Sequence, residues 1–227
     1  MKNTKIIDGY TFEPYQQACV TDEQSIQLSK EFFDKIDNRR SLREFSTRPV
    51  PKEVIDNVVA AASTAPSGAH KQPWTFCIVS APEIKKEIRQ AAEQEEYESY
   101  NGRMSAEWMK ALKPFQTDWN KPFLEDAPYL IVVFKKVVDV LPDGSKLNNY
   151  YVNESVGIAV GFLLAAVHHA GLVALTHTPS PMNFLSTILK RPENERPYLL
   201  IPIGYPAENA YVPQLVRKPL KEVAVYY

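Results

Sequence analysis

The stretch from Tyr150 to His169 leaves this chain few ways to fold. It carries Val156, Ile158, Ala159, Val160, Phe162, Leu163, Leu164, Ala165, Ala166 and Val167, apolar on nearly every side of a helix. A surface helix keeps its apolar residues to one face, so a helix of this kind belongs at the centre of the fold. Gly171 follows as its C-terminal cap. Four further runs, rich in β-branched and aromatic residues, read as strands: 74–80, Tyr129 to Lys136, Val173 to Thr178 and Tyr198 to Gly204. A chain of 227 residues can close one core around that helix without a disulfide or a metal. The predicted class is α+β, with a mostly antiparallel sheet of four or five strands.

The remaining helices follow from spacing and caps. One begins near Glu23, with Thr21 or Asp22 as N-cap, and sets Ile26, Leu28, Phe32, Phe33 and Ile36 on one face expected to be buried. Pro51 opens a second, where its missing N–H costs nothing, with Val54, Ile55, Val58, Val59 and Ala62 as the stripe. It stops near Thr64, because the residue before Pro66 is steered out of α geometry. Ala81-Pro82-Glu83 starts a third, with Ile84, Ile88 and Ala91 or Ala92 inward, and a short helix covers Phe184 to Lys190. Leu141-Pro142-Asp143-Gly144 is a turn, and residues 1–20 read as an irregular arm.

Two segments cannot complete a core of their own. From 93 to 121 the residues Gln94, Glu95, Glu96, Glu98, Ser99, Asn101 and Arg103 leave little apolar face, and Gly102 loosens the backbone further. This predicts marginal helical structure that a partner or ligand must order, in effect a mobile lid. The tail 207–227 is polar until Val223-Ala224-Val225-Tyr226-Tyr227, a terminal strand suited to the sheet edge of a second subunit. No repeat or composition break divides the chain, so it reads as a single domain over 1–227.

Charge excludes some classes of function. The 26 basic and 27 acidic residues balance to a net charge of −1, without the basic excess of a nucleic-acid or membrane-surface binder. No apolar signal region follows Met1, and no apolar run is read as reaching transmembrane length, which points to the cytoplasm. Cys19 and Cys77 lack metal-ligand or redox spacing, and Cys77 lies inside an apolar strand, so a Cys–His nucleophile has little support. His168 and His169 have no carboxylate at ligand spacing, so no metal site is expected. Eight glycines give no dinucleotide or phosphate-loop pattern.

One basic cluster remains. Arg39, Arg40, Ser41 and Arg43 offer planar charged forks and a hydroxyl suited to phosphate oxygens, although a solvated basic turn has the same composition. Glu96 and Tyr100 lie four apart, so on a helix they present a carboxylate and a phenol to one ligand. A carboxylate suits an ammonium and Lys121, which only the resemblance below singles out, suits a carboxylate. The trio thus complements a free amino acid, although a solvated acidic helix with a stray lysine has the same composition.

With Pro66-Ser67-Gly68-Ala69-His70, Pro73-Trp74-Thr75-Phe76, Thr176-His177-Thr178-Pro179, Gly204-Tyr205-Pro206 and Val212-Pro213 through Lys218-Pro219-Leu220, these segments resemble the nitroreductase superfamily from about Asn38 to Leu220. More specifically, the lid residues Glu96, Tyr100, Trp119 and Lys121 resemble the iodotyrosine deiodinase (halotyrosine dehalogenase) family, in a soluble prokaryotic-type form. The resemblance implies an FMN-dependent homodimer with active sites at the subunit interface and tails exchanged between subunits. It implies FMN contacts from Arg39, Arg40, Ser41, Arg43, Ser67, Gly68, Thr176, His177, Thr178 and Arg217. Substrate contacts would come from Ala69, Glu96, Tyr100 and Lys121, with Thr178 as the hydroxyl donor to the flavin N5 and so the candidate catalytic residue. The implied reaction takes 3-iodo- or 3-bromotyrosine to tyrosine and halide, with electrons from NAD(P)H or a reductase. A broad nitro- or quinone reductase and a non-catalytic flavin-binding protein remain the alternatives.

Overall fold

The computed structural model describes residues 4–227 and separates into two units, one ending at Asn38 and one beginning at Arg39. In the first, β1 (Lys5–Ile7) and β2 (Tyr10–Phe12) pair as an antiparallel hairpin, where an irregular arm is expected. Asp8 and Gly9, at φ 49° and 84°, make the two-residue turn whose twist suits a hairpin. Residues 1–3 of that arm lie outside the described residues. Helix α1 (Asp22–Asp37) begins with a capping box: Gln24 N–H donates to Thr21 Oγ1 and Thr21 N–H donates to Gln24 Oε1. Its expected buried face is not formed in this chain. None of its residues is buried, and Ile26, Leu28, Phe32 and Phe33 are more than half exposed.

The second unit runs through α2 (Lys52–Ser63), β3 (Trp74–Val79), α3 (Pro82–Glu98), α4 (Ala106–Leu112), α5 (Phe123–Asp126) and β4 (Tyr129–Lys136). There follow β5 (Val138–Val140), β6 (Lys146–Asn148), α6 (Val152–His169), β7 (Val173–Ala174), α7 (Asn183–Ile188) and β8 (Glu195–Gly204). The main sheet has the order β3-β4-β8-β7 and is antiparallel throughout. Its central strands are apolar without interruption because both faces are covered. Ile131, Val133, Ile201 and Ile203 pack with α2 and α6 on one face. Leu130, Val132, Phe134 and Leu200 pack with α3, α5 and α7 on the other. Neighbouring residues along a strand thus serve opposite layers.

Two prolines explain where the strands depart from expectation. β8 starts at Glu195 rather than Tyr198; Pro197 falls at the register shift opposite Val133 and Phe134, where a missing N–H is tolerated. β7 covers only Val173–Ala174 of the expected 173–178. Leu175 N–H still donates to Pro202 O at 3.3 Å, but Pro202 has no N–H to return, and pairing resumes only at the His177–Leu200 bridge. The expected turn at 141–144 joins two short strands, β5 and β6, that composition did not reveal.

Helix α6 is central on one side only. Val156, Ala159, Val160, Leu163 and Val167 are buried, while Ile158 and Phe162 are about two-fifths exposed. By length and composition α6 is apolar enough to cross a membrane, contrary to expectation, yet its buried face is the floor of the core. Gly171, at φ 76°, ends it with the anticipated cap: Leu172 N–H donates to Val167 O and Gly171 N–H to His168 O, both at 3.1 Å. The tail turns back along its own chain. Ala207 N–H donates to Glu44 O and Tyr211 N–H to Glu44 Oε2, and residues 223–227 form no strand.

The layered core sets the first expected outcome. Ile131 is fully buried between β8 and the α2–α6 layer, so Ile131→Ala is expected to cost about 2–5 kcal/mol. Urea unfolding measures it, and a loss under ~1 kcal/mol would contradict this packing.

Candidate functional site

Residues 39–45 are stitched to the end of the sheet by a parallel bridge from Ser41 to Ala174 and an antiparallel one from Phe45 to Pro206. Leu42 and Phe45 are buried as anchors, which leaves Ser41 and Arg43 facing outward. Arg39, Arg40, Ser41, Arg43 and Arg217 line one cavity of about 200 Å³, with Phe115 and Val212–Val216 completing it. Arg217 Nη2 donates to Arg39 O at 3.1 Å, which brings the tail cation to the cluster. Burial, then the like charges of Arg217 and Arg40, push the Arg39 guanidinium below the ordinary arginine value. An anionic group entering the cavity relieves that repulsion, so the donor set fits a phosphate ester. A second cavity, about 460 Å³, shares Ser41, Arg43, Phe115, Val212 and Pro213 and continues toward Thr117, Asp118 and Asn120.

The lid residues converge. Lys121 Nζ lies 3.5 Å from Glu96 Oε2 and 5.6 Å from the centre of the Tyr100 ring. The lysine is buried and its ammonium also reaches Thr117 Oγ1 at 3.3 Å and the Asp118 carbonyl. Tyr100 donates its hydroxyl to Thr117 O at 3.1 Å. Burial raises the Glu96 carboxyl above its usual range and lowers the Lys121 ammonium below its own, and their mutual attraction opposes each shift. In both groups burial outweighs the pairing, since a 3.5 Å contact is longer than a good charge-assisted bond. A zwitterion supplies the missing half: an ammonium for Glu96 and a carboxylate for Lys121. Arg43 is the hinge of the two regions. It lines both cavities, lies 5.6 Å over the Phe115 ring, and its charge acts on Tyr100 and Lys121.

The segment 93–121 is more regular than expected. α3 continues to Glu98, a π turn spans Ser99–Arg103, and α4 follows, burying none of its residues. Arg103 donates to Glu95 and Glu98 and, at 3.3 Å, to the Ser180 carbonyl, which ties the π turn to the loop after Thr178.

Thr176 and Thr178 are exposed on that loop, whereas His177 turns inward. Its N–H and C=O both pair with Leu200, and its ring packs edge-on to Phe123 at 5.4 Å. Burial, helped by the charges of Lys121 and Arg43, lowers its pKa to about 3, and Nε2 has no hydrogen-bond partner. These contacts make His177 a support beneath the loop. Ser67, Gly68 and Ala69 line neither cavity. They lie against the start of α6, where Gly68 N–H donates to Ser155 Oγ at 3.3 Å and a Cβ on Gly68 would meet Tyr150 O at 2.9 Å. Ala69 is held at φ 50°, a conformation a non-glycine residue adopts only when its surroundings impose it. Phe115, which helps to complete the first cavity, had no signature of type or spacing, whereas Val212, Pro213, Leu215 and Val216 fall in the tail segment that carried the resemblance.

The nitroreductase family model matches residues 36–205. The chain is 67 % identical to an iodotyrosine deiodinase of Haliscomenobacter hydrossis over 95 % of its length and 97 % of the relative's. It is 46 % identical to an iodotyrosine deiodinase of Nematostella vectensis, over 93 % of this chain and 81 % of that one. A crystal structure of oxidized iodotyrosine deiodinase bound to FMN and 3-iodo-L-tyrosine superposes with a TM-score of 0.76 at 31 % identity, covering 86 % of this chain and 98 % of that one.

His177 carries a consequence for stability. With its pKa lowered from 6.5 to about 3, the folded state stays neutral while the unfolded chain takes up a proton. The contribution is complete above the ordinary histidine value and is lost as pH falls from there toward the folded pKa. The urea midpoint is expected to drop between about pH 7 and about pH 5, and His177→Gln to flatten that drop. Equal slopes for the two proteins would contradict the buried neutral ring.

Proposed function

The chain belongs to the nitroreductase family, in its iodotyrosine deiodinase branch, and from that premise we propose that it is an FMN-dependent oxidoreductase that reductively dehalogenates 3-iodo- or 3-bromotyrosine. The observation that carries this reading is the buried Lys121–Glu96 pair beside Tyr100, joined to the arginine cavity through Arg43. A general reductase of flat aromatics has no use for a matched cation and anion at that place.

Arg39, Arg40 and Arg217 would hold the cofactor phosphate, with Ser41 adding a hydroxyl and Arg43 reaching the ring. Bound FMN supplies the two electrons of the reaction. Ser67 and Gly68 would add backbone contacts to it, and the exposed Thr178 hydroxyl, with Thr176 on the same loop, would donate to its ring nitrogen N5. The substrate ammonium would meet Glu96 and its carboxylate Lys121 and Tyr100, with the backbone of Ala69 as a further substrate contact. An ortho halogen lowers the phenol pKa from about 10, so the halophenol enters as phenolate where tyrosine does not. The carbon–halogen bond breaks, one proton and two electrons form a carbon–hydrogen bond, and halide leaves. A reduced nicotinamide nucleotide such as NADPH, or a reductase, restores the electrons.

Two features support a homodimer with the site at its interface. The apolar face of α1 is uncovered in one chain, and Ser67–Ala69 line neither cavity that the arginines form. The unpaired cysteines and balanced charge fit a cytoplasmic protein. Residues 93–121 serve as the lid, tightened when the zwitterion completes the Glu96–Lys121 pair.

The test is direct. The purified protein is expected to carry FMN and to release iodide from 3-iodotyrosine in step with reductant consumed. Arg39→Ala and Arg217→Ala each remove a charge-assisted contact worth about 1.5–3 kcal/mol, so FMN affinity falls about tenfold or more. Glu96→Gln and Lys121→Ala weaken halotyrosine binding and leave FMN in place. Halotyrosine affinity is also expected to fall on acidification, beginning above the ordinary carboxylate range, because the raised Glu96 must stay ionised to hold an ammonium. Retention of FMN through dialysis by both arginine variants, or iodophenol turnover equal to that of iodotyrosine, would overturn the assignment.

A further inference from the structure

Lys121 is held by more than the groups around its ammonium. On α3, Arg89 Nε donates to Glu93 Oε1 at 2.7 Å, and the same oxygen accepts the backbone N–H of Lys121 at 2.7 Å. Arg89 then uses its other nitrogens on the same loop, Nη1 to Glu125 Oε1 at 3.2 Å and Nη2 to Asn120 Oδ1 at 3.0 Å. The Arg89 side chain is 26% exposed and that of Glu93 18%. The contrast with Lys52–Asp56, another ion pair four apart on a helix, is that this one reaches across to a separate segment. An exposed pair of the first kind contributes little, because solvent screens it.

We propose that Arg89 and Glu93 are positioning residues that lock the main chain of Lys121 to α3, and so set the spacing between the lysine and Glu96 that the halotyrosine zwitterion requires. The inference rests on the function proposed above. Glu96 lies three residues beyond Glu93 on α3, so the clamp and the carboxylate of the grip share one side of that helix, and Tyr100 follows in the π turn. A lysine ammonium on a flexible four-carbon stem has no fixed place of its own. Its position is defined only if the backbone it grows from is fixed, and Glu93 fixes that backbone from the element that carries Glu96. Beyond Lys121 the chain is held by α5, by the buried Phe123 and Leu124 and by Lys85 Nζ, which donates to Glu125 O at 2.7 Å and Ala127 O at 2.8 Å, whereas the N–H of Lys121 itself is held by Glu93.

The experiment uses FMN-loaded wild type and variants, titrated with 3-iodotyrosine and with 2-iodophenol by flavin fluorescence, with KM and kcat for iodide release measured alongside. Glu93→Ala is expected to raise the 3-iodotyrosine Kd and KM about tenfold while kcat, FMN retention and 2-iodophenol binding hold. Glu93→Gln keeps a carbonyl oxygen for the Lys121 N–H and recovers most of the loss. Arg89→Lys, which keeps the charge but not the fork to Asn120 and Glu125, is expected to lose about three- to tenfold and decides the matter if Glu93→Ala does not fold. Unchanged iodotyrosine affinity in these variants, or parallel loss of FMN and iodophenol binding, would overturn the clamp. Failure of the underlying function shows separately, in wild type itself, as equal affinity for the two ligands.

Discussion

A buried ammonium beside a buried carboxylate, neither fully compensated, is the constraint around which this molecule is arranged. Taking Lys121 and Glu96 out of water costs each more than a 3.5 Å contact returns, as the direction of both pKa shifts shows. The chain limits the cost with further acceptors, Thr117 Oγ1 and the Asp118 carbonyl for the ammonium and the Tyr100 ring alongside. What it leaves is a site whose charges are complementary to one kind of ligand, a free amino acid. Closing the site with such a ligand also strengthens those contacts by excluding water.

The scaffold supplies the rigidity this needs. Sheet residues alternate between two core layers, so α3, which carries Glu96, is fixed by Ile88 and Ala92 against Leu130, Val132 and Phe134. The opposite layer fixes α6, and against its first turn lies the strained Ala69 backbone. Between them, Pro202 interrupts the β7–β8 pairing and releases 176–178 as a loop, with His177 as its buried foot and the two threonines outward. The arginine segment is held at the same end of the sheet by the bridges from Ser41 and Phe45. Proline chemistry in a strand thus frees a loop that presents two exposed threonines.

Much of this was legible from residue types. The N-cap of α1, the glycine cap of α6, the limits of β4 and the arginine cluster all follow from local rules, and the nearness of Glu96 and Tyr100 follows from simple spacing. Lys121, much further along the chain, joined them only through resemblance to a family. Burial of α1 was misjudged because an amphipathic stripe says that something covers it, not that its own chain does. The Asp8–Gly9 hairpin was overlooked because its strands are three residues long and wholly exposed, so no alternation marks them. The burial of His177 had no mark in a motif where it stands between two threonines, and only the fold shows its ring against Phe123. The role of Glu93 had no signature at all, since its partner is a backbone N–H, which every residue but proline possesses.

The central claim is that recognition depends on both charges of the amino-acid group. It is tested most directly by titrating the FMN-loaded protein with 3-iodotyrosine, its N-acetyl derivative and its methyl ester, and comparing the dissociation constants. The first derivative removes the ammonium that Glu96 would hold, and the second removes the carboxylate that Lys121 would hold. The account predicts that each weakens binding by about tenfold or more, the loss of one charge-assisted contact and the stranding of a buried charge. Dissociation constants within about twofold of one another for all three ligands would contradict it.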